Sequence, residues 1–199
     1  MLFRSYSLVG DVQSGKANGI NKNQGYHAAA KLGSNVGPLY LTLWSSYYSG
    51  EKNGDSVKKF VSYLEDNYYE TFVWGYFTRT ANSAGTGNDL GGTYGQGIPD
   101  PGGFWFNKIG ADYKVSRDVK VTAAYINIRG TYGSKAQFAT VDSKKVGDEI
   151  DFMLAYSLGK NLTWDFETGY LMPSTAYKEA NSLRTDNALA LRNTITLFF

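Results

Sequence analysis

Four carboxylates stand in two closely spaced pairs, Glu149 with Asp151 and Asp165 with Glu167. Residues two apart point to the same face of a β-strand, so the four side chains can converge if the two segments pair. Converging carboxylates serve as general acid and base, or bind a divalent cation. On a solvated face of a sheet, carboxylates instead balance lysine and arginine in water. We favour this last interpretation and predict no catalytic residue and no metal site.

His27 is the only histidine, and the chain contains no cysteine. The missing thiols exclude a disulfide scaffold and a thiolate metal site. No serine or cysteine lies at a recognisable catalytic spacing from His27, so we expect the protein not to be an enzyme and to use no cofactor. An enzyme acting on lipid or peptide would show a Ser/His or His/Asp constellation, and the sequence reveals none.

Composition and hydropathy limit the partners. The net charge of +2 over 199 residues is too small and too evenly spread to argue for nucleic acid. No stretch approaches the roughly 20 apolar residues of a membrane helix, and the residues after Met1 lack the apolar core of a signal peptide. A search for long apolar stretches does not detect membrane β-strands, because each needs only about 10 residues of alternating polarity.

The strongest alternation runs from Val146 to Leu158 and resumes, after Gly159-Lys160-Asn161, from Leu162 to Tyr170. A period of two over this length indicates two strands joined by a tight turn. The same pattern recurs at 26–34, 39–48, 104–115 and 119–129, and a last strand covers 187–199. These segments predict an all-β fold, a transmembrane antiparallel up-and-down β-barrel of about eight strands.

Short and long connections alternate along the chain. Short turns at 35–38, 116–118 and 159–161 contrast with long connections at 13–24, 130–145 and 173–186. In outer-membrane barrels the short turns are periplasmic and the long loops extracellular. The longest connection, about 50–103, is then an extracellular excursion, with helical spacing at 57–64. It forms either a constriction or lid at the pore mouth, or an additional hairpin at 69–80.

The alternation assigns each strand residue to one of two faces. The residues predicted to face lipid are Ile150, Phe152, Leu154, Tyr156, Trp164, Phe166 and Tyr170. The residues predicted to line the lumen are Lys31, Lys108, Asp112, Lys114, Lys120, Glu149, Asp151, Asp165, Glu167 and Arg192. Aromatic residues near strand ends suit the headgroup region. A soluble β-sandwich core, which also takes aromatics at alternate positions, is the competing interpretation.

The C-terminal third resembles the alginate-export-type porins of Gram-negative bacteria. The resemblance lies in Val146-Gly-Asp-Glu-Ile-Asp151, Ala155-Tyr156, Lys160-Asn-Leu-Thr163, Gly169-Tyr-Leu-Met-Pro173 and a final strand closing on Phe199. It covers about residues 100–199, so the chain 1–199 is either one barrel domain or the C-terminal half of a longer barrel. The resemblance implies the outer membrane as location, its lipid as partner, and Phe199 as the assembly signal read by the barrel-assembly machinery.

The expected function is an outer-membrane porin, which allows passive diffusion of small hydrophilic solutes or exports a polysaccharide. Acidic and basic residues are mixed on the predicted lumen face, so an anionic polysaccharide does not follow from the resemblance. The alternative is a small, complete eight-stranded barrel that acts as an adhesin or surface-stability protein. A filled interior is expected of so narrow a barrel, so a conducting pore would need further strands.

Overall fold

Alternating apolar and polar side chains produce a sheet whose two faces differ in chemistry. The structure is a computed structural model, and it describes residues 5–12, 14–17, 21–23, 25–49, 71–73, 104–130, 135–136, 139–140, 144–174 and 186–199. The helix expected at 57–64 lies outside the described residues, as does most of the alternative hairpin at 69–80. Among the described residues, no helix is long and apolar enough to cross a membrane.

Eight long strands form one antiparallel sheet. They are β1 (Ser5–Val12), β4 (Tyr26–Val36), β5 (Leu39–Tyr48), β6 (Phe104–Lys114), β7 (Val119–Gly130), β10 (Lys145–Ser157), β11 (Leu162–Pro173) and β12 (Ala188–Leu197). Each strand pairs with the next long strand along the chain. The predicted all-β, up-and-down arrangement of about eight strands is therefore confirmed.

Two short hairpins extend the connections between long strands. One pairs β2 (Gly15–Ala17) with β3 (Asn21–Asn23), and the other pairs β8 (Lys135–Ala136) with β9 (Ala139–Thr140). At the opposite end of the sheet the turns are tight, and Gly37 adopts φ +60°, which suits glycine. We call the two ends of the sheet the long-loop end and the short-turn end.

The outermost strands of the described sheet are β1 and β12. Among the described residues each has one strand neighbour, and the two do not pair with each other. The registers are continuous, apart from one irregularity between Lys145 and Gly147 where β10 meets β7. Continuous registers keep every strand's alternation in phase with its neighbours, so each face of the sheet has a uniform character.

Candidate functional site

The strand registers divide the sheet into an inward face and an outward face. Residues directly opposite each other in antiparallel strands share a face, and pairs such as Lys31↔Trp44, Trp44↔Lys108 and Lys108↔Ile126 trace one face across the sheet. This face, which we call inward, carries all ten residues predicted to line a lumen. The seven residues predicted to meet lipid all lie on the other, outward face.

The inward face is densely packed at its long-loop end. Tyr48, Phe106, Ile126 and Ile128 are at most 1% exposed and form the apolar core. Val73, from the long connection between β5 and β6, joins this core and is fully buried. The core of the molecule therefore lies between one half of the sheet and a piece of the connecting segment.

The described piece of that segment, Thr71–Val73, is held by the carboxylate of Glu149. The backbone N–H groups of Phe72 and Val73 each donate to Glu149 Oε1 at 2.6 Å, and Phe72 N–H also approaches Asp151 Oδ2 at 3.2 Å. Glu149 is 0% exposed. The prediction placed Glu149 among wet lumen residues; the structure keeps it on that face but makes it a buried anchor.

Glycine makes room for this anchored segment. A Cβ on Gly169 would lie 2.6 Å from Val73 Cγ2, 2.7 Å from Asp151 Oδ1 and 2.9 Å from Phe72 Cδ1. Contacts this short do not occur for real Cβ atoms, so any larger residue would displace the segment. The Arg192 guanidinium also lies 5.1 Å from the centroid of the Phe72 ring, in a cation–π contact.

Beside Phe72 is a cavity of about 190 Å³, lined in part by Lys108, Asp151, Glu167 and Arg192. Glu167 accepts hydrogen bonds from Arg192 and so is already paired. The four carboxylates do not all converge. Glu149 and Asp151 both accept from Phe72 N–H, and Asp151 and Glu167 border the same cavity, whereas Asp165 borders the cavity at the short-turn end. In the described part of the chain, no three acidic or histidine side chains are grouped to hold a metal ion.

The short-turn end of the inward face is charged and open. Lys114 and Lys120 lie directly opposite each other, and Thr122 donates to Asp112 at 2.7 Å. Both lysines, with Asp165, line a cavity of about 350 Å³. Adjacent lysines repel one another, so this end favours wet, solvated charges over packed ones.

A second polar network joins β1, β4 and β5 near the long-loop end. His27 Nδ1 lies 2.9 Å from Asp11 Oδ2, and its Nε2 lies 2.9 Å from Ser46 Oγ. This is the Asp–His–Ser relay arrangement that the sequence did not reveal, because only the strand register brings Asp11 opposite His27 and Ser46 nearby. The structure therefore brings together a Ser/His/Asp constellation that is not visible in the sequence. Ser46 is 1% exposed and the His27 ring stacks on Tyr48 at 4.3 Å, so the relay is packed.

The outward face is an apolar surface that the described chain leaves uncovered. Ile109 is 58% exposed, Ile150 49% and Leu191 62%. Further exposed apolar side chains on this face are Tyr6, Leu8, Val12, Tyr26, Leu43, Trp105, Tyr113, Tyr125, Phe152, Tyr156, Tyr170, Leu189, Ile195 and Leu197. Leu154, Trp164 and Phe166 share the face and are partly exposed.

Aromatic residues with polar atoms gather on this face near the long-loop end. Trp105 Nε1 donates to Ser45 at 2.9 Å, Tyr125 donates to Asp148 at 2.8 Å, and Tyr26 stacks on Tyr47 at 5.7 Å.

Searches against protein-family models and against curated proteins find no match for this chain. Function is therefore inferred from the geometry and chemistry of the two faces.

Proposed function

We propose that this chain forms the wall of a pore in a bacterial outer membrane and that small hydrophilic solutes diffuse along its inward face. One observation carries the proposal: exposed apolar side chains cover the outward face, while ten charged residues share the inward face. A soluble sheet of this size would bury its apolar face, since exposed apolar patches rarely exceed a few hundred Å². Outer-membrane barrels have the arrangement found here.

The Thr71–Val73 segment supports a constriction within that pore. It lies on the inward face, anchored by Glu149, and Phe72 borders the cavity beside Lys108 and Arg192. Solutes that follow this face meet carboxylates and cations within one narrow region, which favours small polar solutes over long polyanions. The resemblance to alginate-export-type porins adds polysaccharide export as a second substrate class for the same pore.

The test is reconstitution of the purified chain into lipid vesicles and planar bilayers. Because β1 and β12 each have one strand neighbour among the described residues, a second copy of the chain can supply the further strands that a conducting pore needs. We therefore expect stepwise conductance, together with vesicle swelling in a small neutral sugar such as arabinose. A chain that inserts and resists protease but neither conducts nor admits the sugar would contradict the pore. That outcome would favour the alternative, a small complete barrel that acts as an adhesin or surface-stability protein.

A second candidate function, acyl hydrolysis, is favoured only by the relay of Asp11, His27 and Ser46. The Ser46 hydroxyl and the two ring nitrogens have the order of contacts that activates a serine nucleophile. An alkyl fluorophosphonate tests it: Ser46 Oγ bonds to phosphorus, fluoride leaves, and His27 Nε2 takes the hydroxyl proton. If the protein is a hydrolase, the fluorophosphonate should label the wild type and the Ser45→Ala variant but should not label the Ser46→Ala variant. No labelling of the wild type means that the relay is a buried structural network, as the 1% exposure of Ser46 favours.

A further inference from the structure

A continuous polar network interrupts the apolar outward face at the long-loop ends of β7 and β10. Tyr125 Oη donates to Asp148 Oδ1 at 2.8 Å, and Asn127 Nδ2 donates to the same oxygen at 2.7 Å. Lys145 Nζ lies 3.2 Å from Asp148 Oδ2, and Arg129 Nε donates to Asn127 Oδ1 at 3.0 Å. Five side chains on two strands are thus linked through one carboxylate and one amide.

The register fixes this network to the outward face. Tyr125 lies opposite Ile150, Asn127 opposite Asp148, and Arg129 opposite Lys145. The intervening residues, Ile126 and Ile128, point inward and are fully buried. From Asp148 towards the short-turn end, the same face of β10 continues with Ile150, Phe152 and Leu154, about 7 Å of strand per step. The network therefore forms the polar border of the apolar surface.

Two cations meet at this border. Arg129 and Lys145 are directly opposite each other in the sheet, and Lys145 is 51% exposed. Like charges opposite each other destabilise a strand pair, and of these two cations only Lys145 forms an ion pair with Asp148. In the described part of the chain, Arg129 donates only from Nε, to Asn127 Oδ1, so its two terminal nitrogens remain available to a further acceptor. An anion between the two side chains would offset their repulsion and accept hydrogen bonds from the terminal nitrogens of Arg129.

We propose that Arg129 and Lys145 bind a phosphate group of a glycolipid headgroup in the outer leaflet, with Asn127 and Asp148 orienting the two cations. The inference rests on the proposed function, which places lipid against the outward face. Arginine binds phosphate oxygens in a bidentate manner, and lysine adds a point charge. The Tyr125 ring contributes an amphipathic surface beside the phosphate, as aromatic residues do at membrane interfaces.

Binding of lipid A by the full chain, folded in a neutral maltoside detergent, tests the proposal by native mass spectrometry. We expect Arg129→Gln/Lys145→Gln to weaken lipid A binding roughly tenfold, because two charge-assisted contacts are lost. The matched control, Arg117→Gln/Lys160→Gln, removes the same charge from exposed positions at the short-turn end and should bind as the wild type does. Dephosphorylated lipid A should bind the wild type as weakly as intact lipid A binds the Arg129/Lys145 variant.

Equal lipid A binding by the two double variants would overturn the proposal, as would undiminished binding of the dephosphorylated lipid. If millimolar inorganic phosphate displaces bound lipid A as effectively as added lipid A does, the site binds free anions, and this result would also overturn the proposal. The proposed function is tested separately through a cysteine at Leu154 in vesicles. If that cysteine is shielded from aqueous reagents while lipid A binding ignores Arg129 and Lys145, this inference fails alone. If it reacts freely, the membrane proposal fails.

Discussion

The two ends of the inward face differ in how tightly their side chains are packed. At the long-loop end, Tyr48, Phe106 and Ile126 pack against Val73, and the carboxylate of Glu149 is buried with two backbone donors. At the short-turn end, Lys114 faces Lys120 across the sheet and the side chains line an open cavity. The same alternation of residues thus supports a packed core at one end and solvated charges at the other.

This difference shows that a charged residue cannot be assigned a role from its face alone. Glu149 and Asp165 both point inward, yet one is 0% exposed and anchors a segment while the other borders an open cavity. What separates them is whether a piece of the connecting chain lies over the sheet. Three substitutions test whether the two ends differ as described, from the largest expected effect to the smallest.

The largest effect is expected from Glu149→Ala. It leaves the Val73 N–H group without an acceptor, and the Phe72 N–H group with only its 3.2 Å contact to Asp151, in a buried site. We therefore expect a loss of about 3 kcal/mol in the free energy of unfolding. Denaturant titration of the protein in vesicles measures this loss. Glu167→Ala is the control, because its ion pair with Arg192 is partly exposed and should be worth less than about 1 kcal/mol. Equal losses would mean that the long-loop end is not specially anchored.

An intermediate effect is expected from Gly169→Ala. The added methyl group would meet Val73, Asp151 and Phe72 within 2.9 Å, so the segment must shift, at a cost of about 1–3 kcal/mol. Single-channel conductance should rise as Phe72 moves away from the cavity. Gly110→Ala is the matched control on the same face, because its nearest neighbour would lie at 3.8 Å. If both alanines leave conductance unchanged, Thr71–Val73 does not restrict the pore.

The smallest effect on stability is expected from Asp165→Asn, which should change the free energy of unfolding by less than about 0.5 kcal/mol. Its effect should appear in ion selectivity, measured as the reversal potential in a salt gradient. In the proposed pore, loss of a wet carboxylate should shift the ion selectivity towards anions, and Lys114→Gln/Lys120→Gln should shift it towards cations. A large loss of folded protein without a selectivity change would place Asp165 in a packed region.

Alternation alone predicts most of the fold. The segments at 26–34, 39–48, 104–115 and 119–129 match β4 to β7 within a few residues. A shift of one residue would place the apolar side chains of a strand on the polar face, so the alternation fixes which residues share a face. The hairpin of β10 and β11 also has the predicted faces throughout. The alternation thus predicts which face of the sheet a residue lies on, but it does not predict what packs against that face.

The candidate site could not be predicted to the same depth, because it depends on contacts between distant parts of the chain. Phe72 and Glu149 are 77 positions apart, and no local pattern links them. The relay of Asp11, His27 and Ser46 needs the registers of three strands, which the sequence leaves open to a shift. The short hairpins β2–β3 and β8–β9 have strands too brief for alternation to be recognised.

The most direct test of the membrane claim compares single cysteines at Leu154 and Ala155, neighbours on β10 that lie on opposite faces. The chain contains no native cysteine, so each variant reports one position. In the protein reconstituted in vesicles, we expect the cysteine at Leu154 to resist a water-soluble maleimide and to be quenched by a lipid-borne spin label. The cysteine at Ala155 should react with the maleimide. Free reaction at Leu154 in the folded protein would contradict the account, because the outward face would then meet water and not lipid.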